Sequence, residues 1–493
     1  MTHPHPRRWR GAAWVAWRTR KARRAGDVGG VVRSLARGST SAVAIKVGRQ
    51  RILLLLDPAL VGDLLVEHAA ATTKGPGVQL TRQMLGDGLL TSEGKPHDRA
   101  RKLIAPAFSP RRLAGYTDAF ADRTRARAAG WQDGATLDIH DEMASLTLDI
   151  VGRTLLGIDL TDRAAQIRAS LEAALERFGE IGGGSLLIGA AGRRRGLGGR
   201  RGVSGRGLGG RGVSGRGVSG RGRRTASAVD TAHAADADVH RVVDEVIEEH
   251  RRHRPSGDRG DLVSALLSDG QVRAGMTDQE IHDHVITLIM AGHETTANAL
   301  TWALFLVGRR PDVQARLHQE VDRLPAGGPT FSELADLPFT RAVISEAMRL
   351  YPPAWVMGRT LVAPLDFAGW YAPAGTLAGV SPLLLHHDPR WYDRPEEFDP
   401  DRWLDGRQKS LPRNAYLPFG TGPRACIGEQ FAWAEAVTVL AVIASSWTIR
   451  TPTDLAPGVQ YRVTLRPNGP VLLTVAARNA PLLRPMHEAM RID

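Results

Sequence analysis

Thr277-Asp278-Gln279-Glu280 reads as a capping box, in which a hydroxyl and an acid three residues apart satisfy each other's end of a helix. Helical periodicity then runs to about Arg309, where Gly308 and Pro311 stop it. Some 30 residues at about 1.5 Å each reach roughly 45 Å, long enough to cross a whole domain. The middle of this helix is unusual. Apolar Val285 to Ala291 gives way to Gly292-His293-Glu294-Thr295-Thr296, and apolar Ala299 to Val307 follows. Both ends read as buried, so the polar centre is inside as well, where polar groups are expensive unless satisfied or used. Two readings stand: threonines bonding back to the preceding turn, or an acid and an alcohol facing a cavity.

Helical patterns recur at Leu113 to Trp131, Ile139 to Leu156, Ala164 to Ile181 and Asp236 to His250, and Pro58 opens a shorter one through Leu65. Ala42 to Leu56 holds two short β-type runs around Val47-Gly48-Arg49. Further strands are expected near Leu361 to Phe367 and near Val463 to Val475, where Pro467-Asn468-Gly469-Pro470 marks a hairpin turn. The fold class is therefore mainly α with minor β-sheet, and no βαβ alternation supports a doubly wound fold.

A net charge of +13 and 54 glycines need locating before they are interpreted. Gly192 to Arg224 alone holds 11 arginines, 14 glycines and no acid, repeating in fives from Arg201, Arg206, Arg211 and Arg216. Taking those 11 charges away leaves +2 on the rest of the chain. Glycine at that density loses too much entropy to fold, and nothing in the tract could bury a face. It reads as a disordered insertion, residues 192–224. An expanded coding repeat in a surface loop is preferred to a nucleic-acid or anionic-lipid patch, because a long loop costs little extra closure entropy. Nucleic acid is not expected as a partner.

No stretch approaches the about 20 apolar residues of a membrane span. The start of the chain, residues 1–40, is basic. Its apolar centre, Gly11 to Trp17, is too short for a signal peptide and is followed at once by Arg18, Arg20, Lys21, Arg23 and Arg24. It reads as a surface helix with its tryptophans packed inward, with a membrane-surface helix as the sharper alternative. The single cysteine excludes a disulfide framework within one chain and fits a reducing compartment, hence a cytoplasmic location.

That cysteine lies in Leu417-Pro418-Phe419-Gly420-Thr421-Gly422-Pro423-Arg424-Ala425-Cys426-Ile427-Gly428. The glycines and Pro423 predict a tight loop, with a helix from about Ile427 to Ser445. Cys426 then sits near a helix N-terminus, where free N–H groups favour a thiolate, and Arg424 stands beside it as a cation.

Phe419, Gly422, Arg424, Cys426 and Gly428 stand as F-x-x-G-x-R-x-C-x-G, which resembles the haem-ligand loop of the cytochrome P450 superfamily. Five fixed positions at average usages near 5% arise by chance in roughly one of 10⁴ chains of this size. Ala291-Gly292-His293-Glu294-Thr295-Thr296 resembles the family's oxygen-activation motif. Glu346-Ala347-Met348-Arg349 resembles its E-x-x-R motif. Glu320 to Arg323 and Glu248 to Arg251 match that pattern too, but only Glu346 is followed by Leu350-Tyr351-Pro352-Pro353 and lies between the long helix and the cysteine. Phe398 to Trp403 resembles the next block. His97 and Arg101 resemble the haem-propionate pair, with His where many members have Trp.

The resemblance covers residues from about 40 to 480 and implies a cytochrome P450 catalytic domain at 41–480, interrupted by the repeat tract, with a C-terminal tail at 481–493. It implies haem b, with Cys426 as axial thiolate and Phe419 packed near the sulfur. Gly420 belongs to the same loop, and Gly428 would let backbone approach the porphyrin. His97, Arg101, Arg359 and Arg424 would pair the propionates. Ala291 and Gly292 would leave room for O₂. Glu294 and Thr295 would relay protons. Glu346, Arg349 and Arg402 would form a buried structural network that holds the loop. The implied activity is a monooxygenase inserting one oxygen atom from O₂ into a small lipophilic substrate, such as a terpenoid, fatty acid or polyketide. Electrons would come from NAD(P)H through a separate ferredoxin and ferredoxin reductase, since the chain stops soon after its last strands. A haem-thiolate peroxygenase or isomerase is the nearest rival, and Glu294 with Thr295 argues against it.

Overall fold

The computed structural model describes residues 9–160, 239–252, 260–267 and 276–478 except 326 and 368, together with 167, 169 and 170. The repeat tract, the helix expected at Ala164 to Ile181 and the C-terminal tail lie outside the described residues, apart from the three isolated positions.

The long helix is present as Asp278–Val307, with the reciprocal cap: Glu280 N–H donates to Thr277 Oγ1 at 3.2 Å, and Thr277 N–H to Glu280 Oε2 at 2.7 Å. Apolar residues surround almost its whole circumference, as a helix crossing a core requires. It packs on the helices Ile139–Thr154, Pro338–Leu350 and Glu429–Ser446. Trp302 stacks flat on Tyr351, ring centres 3.9 Å apart. The helix Glu429–Ser446 is likewise apolar all round, and it packs on Pro110–Ala128, where Phe431 meets Phe120 edge-on at 5.0 Å.

A five-stranded sheet flanks this bundle, in the order Ala42–Val47, Gln50–Leu55, Leu377–Val380, Met357–Leu361, Thr72–Lys74. All neighbours are antiparallel except Gln50–Leu55 with Leu377–Val380, which run parallel with Ile52 opposite Leu377. A three-stranded sheet pairs Leu472–Ala477 with Thr136–Asp138 and Trp447–Arg450. The fold is mainly α with minor sheet, as the periodicity implies. One turn is misplaced by the sequence reading. The hairpin is Gly458–Tyr461 with Leu465–Asn468, so its turn is Arg462-Val463-Thr464. Asn468-Gly469 instead carries the chain into a different sheet, because the strand after it finds its partners there.

Among the described residues no helix is long and apolar enough to cross a membrane.

Candidate active site

Gly420 and Gly422 turn the cysteine loop with φ of 71° and 73°, backbone that side chains with a Cβ disfavour. A Cβ on Gly422 would run into the Leu65 carbonyl. Cys426 N–H donates to Phe419 O at 2.9 Å and closes the loop, and the Phe419 ring leans on Trp433 at 5.7 Å. Arg101 Nη1 donates to Ala425 O at 2.8 Å, tying the residue before the cysteine to the helix Gly94–Ile104. The Cys426 side chain is reachable by solvent, yet protein surrounds it closely. Together these place the sulfur on the wall of an internal hollow, not on the outer surface. A Cβ at Gly428 would make only ordinary contacts, 3.7 Å from Phe108 and 3.9 Å from the sulfur. The protein's own packing therefore leaves that glycine unconstrained.

Burial pushes the Cys426 thiol up from its usual value, with the Gly428 N–H and Arg101 pulling the other way. The sequence reading gave Arg424 the part of the thiolate's cation. Arg424 instead donates to Glu93 Oε2 at 2.8 Å. The protein alone does not make this sulfur a ready thiolate.

The middle of the long helix supports both readings of its polar break. Thr295 Oγ1 donates back to Ala291 O at 2.7 Å and Thr296 Oγ1 to Gly292 O at 3.3 Å. Yet Ala291 is exposed and Gly292 and Thr295 are half-buried in a helix otherwise enclosed by protein, so this strip faces open space inside the fold. Glu294 is buried and turned towards the C-terminal hairpin. It accepts from Thr464 Oγ1 at 2.7 Å and lies 3.9 Å from Arg466 Nη1. Asn298 Nδ2 donates to Thr464 at 3.4 Å, and Asn298 Oδ1 meets His140 Nε2 at 3.3 Å. Glu435, on the helix that follows the cysteine, is fully buried with the Thr296 hydroxyl facing it. Burial pushes its carboxyl up to about 8, so it is a neutral acid at pH 7.

Beside the cysteine end of the loop, around Arg424, lies a cluster of positive charge. Lys74 stands directly opposite Arg359 in neighbouring strands, a like-charge pairing that weakens a sheet. Lys74 is buried, with Nζ donating to Leu89 O at 3.0 Å and Ser92 O at 2.9 Å. Burial, followed by repulsion from Arg424, pushes it down to about 7, with Arg359 and Arg101 adding to the repulsion and Glu93 opposing it. His97 is buried against Asp98 Oδ1 at 3.0 Å. Its burial, with Arg424 and Lys74 adding to the effect, pushes it down to about 4, so the imidazole is neutral at pH 7 rather than charged. Arg424 Nη1 is buried and has no hydrogen-bond partner. Among the described residues, Arg424, Arg359 and Arg101 all act on Lys74 with Glu93 opposing them, and the exposed Asp98 is a second acid that feels Arg424, so cations outnumber acids. That imbalance suits a partner carrying two carboxylates, as haem b does. Lys74, Glu93, Glu435 and Thr464 escaped the sequence reading, since none stands in a motif.

Glu346 and Arg349 form the buried network, both fully enclosed. Arg349 Nε and Nη2 donate to the two Glu346 oxygens at 2.8 Å each. Arg402 Nε at 3.2 Å, Trp403 Nε1 at 2.8 Å and Asp399 N–H at 3.0 Å fill the remaining lone pairs. Arg349 Nη1 reaches His386 O at 2.9 Å, and His386 Nε2 accepts from Leu417 N–H at 2.9 Å. The network therefore touches the first residue of the cysteine loop.

Comparison with known proteins agrees with this geometry. A family model described as cytochrome P450 matches residues 226–473. Cyclooctatin synthase from Streptomyces melanosporofaciens is 35% identical over 86% of this chain and 87% of its own length. The chain belongs to the cytochrome P450 family. Pentalenene oxygenase from Streptomyces avermitilis is 33% identical over 84% of the chain and 86% of its own. The crystal structure of the cytochrome P450DA haem domain superposes with a TM-score of 0.75 at 26% identity, covering 92% of each chain. As a cytochrome P450 the protein is a haem-b monooxygenase that inserts one oxygen atom from O₂ into a lipophilic organic molecule, with electrons from NAD(P)H passed on by redox partners.

Proposed function

We propose that the residues described above divide the P450 reaction as follows, on a cyclic terpenoid substrate. Cys426 would hold the haem iron through its thiolate. Arg101, Arg359 and Arg424, joined by Lys74, would hold the haem carboxylates, and His97 would join them as a donor when its proton sits on Nε2. When bound, haem b supplies the iron chemistry that activates O₂. Ala291 and Gly292 keep side-chain bulk out of the space beside the long helix, leaving room there for substrate. Thr295 holds a proton on its hydroxyl at the open strip, and Glu294, on taking up a proton from solvent and turning from Thr464, resupplies it as a carboxylic acid and returns to a carboxylate. Glu346, Arg349 and Arg402 fix the loop that carries the ligand. The catalytic domain spans 41–480, interrupted by the tract at 192–224. A separate ferredoxin and its reductase deliver the electrons in the cytoplasm.

The observation that carries this reading is the pairing of an inward-facing cysteine with a buried surplus of cations. The terpenoid class rests on relatives named cyclooctatin synthase, cyclooctat-9-en-7-ol 5-monooxygenase and pentalenene oxygenase. Difference spectra of the ferric protein against a panel of cyclic terpenes, fatty acids and macrolides test it. Cyclic terpenes are expected to give the spin-state shift at the lowest concentration, and a response confined to fatty acids overturns the substrate class. Cys426→Ser is expected to lose the red-shifted ferrous–CO band, and its persistence overturns the ligand assignment.

A further inference from the structure

The near-neutral balance outside the repeat tract is a cancellation. Trp9 to Leu56 contains eleven lysines and arginines and one acid, Asp27. With +10 there, +11 in the tract and +13 overall, everything else sums to −8. Asp27 is already engaged: it caps the helix Val28–Ala36 through Gly30 N–H at 2.7 Å and lies 3.6 Å from Arg33. Arg10, Arg20, Lys21, Arg24, Lys46 and Arg49 are all exposed, and none makes an ion pair among the described residues.

The two helices Ala12–Arg18 and Arg20–Arg24 run almost continuously through Thr19, whose N–H and hydroxyl both bond to Val15 O. Val15 and Thr19 are buried, and Trp14 and Ala22 pack on the core. The opposite stripe is Ala13, Trp17, Arg20, Lys21 and Arg24, spaced three or four apart on one face. Trp17 is 69% exposed. The expectation that the tryptophans here pack inward therefore fails for Trp17. Exposing an indole is costly in water, and at the boundary of a bilayer it is favourable, with cations reaching the headgroups on either side.

We propose that this face is a docking surface for an anionic lipid bilayer, with Trp17 entering the headgroup region and Arg20, Lys21 and Arg24 bound to lipid phosphates. Lys46, near the end of the strand Ala42–Val47, and Arg49, in the turn after it, extend the same field, because Arg10 is hydrogen-bonded on both sides to that strand. The proposal does not depend on the assigned substrate. A nucleic-acid duplex would meet the cations, but its bases are already stacked and would leave the exposed indole without a partner.

The test is co-sedimentation of the haem-loaded full chain with phosphatidylglycerol vesicles and with phosphatidylcholine vesicles. Each basic residue near an anionic surface contributes about fivefold in partition. Arg20→Gln, Lys21→Gln and Arg24→Gln together should lower binding to phosphatidylglycerol by about a hundredfold. Trp17→Ala should lower it by about tenfold and remove quenching by brominated acyl chains. All of these side chains are exposed, so haem content should be unchanged. If the triple variant keeps the parent's partition, the tract arginines carry any binding and the proposal fails. It fails equally if Trp17→Ala leaves vesicle binding intact while the triple variant loses duplex DNA as readily as lipid, since that describes a general polyanion surface.

Discussion

Two clusters of charge lie within reach of the cysteine loop, and they are built on opposite plans. Around Glu346 each cation has its oxygen: Arg349, Arg402, Trp403 and the Asp399 amide together satisfy both carboxylate oxygens. Around Lys74 the cations outnumber their partners, two of them face each other across a sheet, and a guanidinium nitrogen is left unpaired. The first cluster is complete as folded and serves the fold. The second leaves positive charge unmatched as folded, which a bound anion or the loss of the Lys74 proton would relieve. Buried charge is thus informative about binding when it is left unbalanced, and about architecture when it is matched.

Removing the centre of the balanced cluster should have the largest effect. Glu346→Ala strands the fully buried Arg349 and frees the partly exposed Arg402, a change that typically costs about 3–5 kcal/mol, and the Leu417 end of the loop loses its support through His386. The expected outcome is a melting temperature many degrees lower with haem content lost, both read in one thermal scan. Glu346→Gln, which keeps some acceptors, should fall between the two.

The unbalanced cluster should respond in the opposite sense. Lys74 has a folded pKa of about 7, below its unfolded value of 10.5. Between those two values the unfolded chain binds more protons, so stability rises with pH from about 7 to 10.5, and below 7 the full penalty remains. Lys74→Met should therefore stabilise the haem-free protein at pH 7 by up to a few kcal/mol and flatten that rise, while weakening haem retention. Urea unfolding at pH 6, 7 and 9, with and without haem, checks both. A variant that destabilises both forms equally would place Lys74 with the matched cluster.

Glu435 should give the smallest effect and sharpens the contrast from outside both clusters. Its folded pKa of about 8 exceeds the unfolded 4.5. The native state binds the extra proton between these values, so its contribution is full below pH 4.5 and is lost as pH rises through 8. Glu435→Gln mimics the neutral acid. It should change stability by less than about 1 kcal/mol near pH 5 and remove that decline, as melting curves from pH 5 to 9 would show.

The parts of the site that the sequence discloses are those in which function rests on consecutive residues. The loop Phe419 to Gly428, the break at Gly292 to Thr296 and the Glu346–Arg349 pair are local patterns, and the structure brings out each where the pattern puts it. Lys74 is different. It is the last residue of a three-residue strand, and its meaning comes from Arg359, which chain order places far away and the sheet places opposite. Thr464 is likewise defined by Glu294, 170 residues earlier. The misplaced hairpin has a similar cause: Asn468-Gly469 is a sound turn signal, but tertiary pairing chose the strand before it.

The parallel pairing of Gln50–Leu55 with Leu377–Val380 also sets a schedule for the ribosome. A strand completed within the first 55 residues meets its partner only after more than 300 further residues have been made. At about 5–20 residues per second, that is roughly a quarter of a minute to a minute of synthesis. Throughout that time Ile52-Leu53-Leu54-Leu55-Leu56 is an apolar edge with no neighbour on one side, ready to pair with another nascent chain. Holdase chaperones therefore have an evident binding segment on this protein near its beginning, and slowing translation between the two strands should raise the aggregated fraction without altering the finished fold.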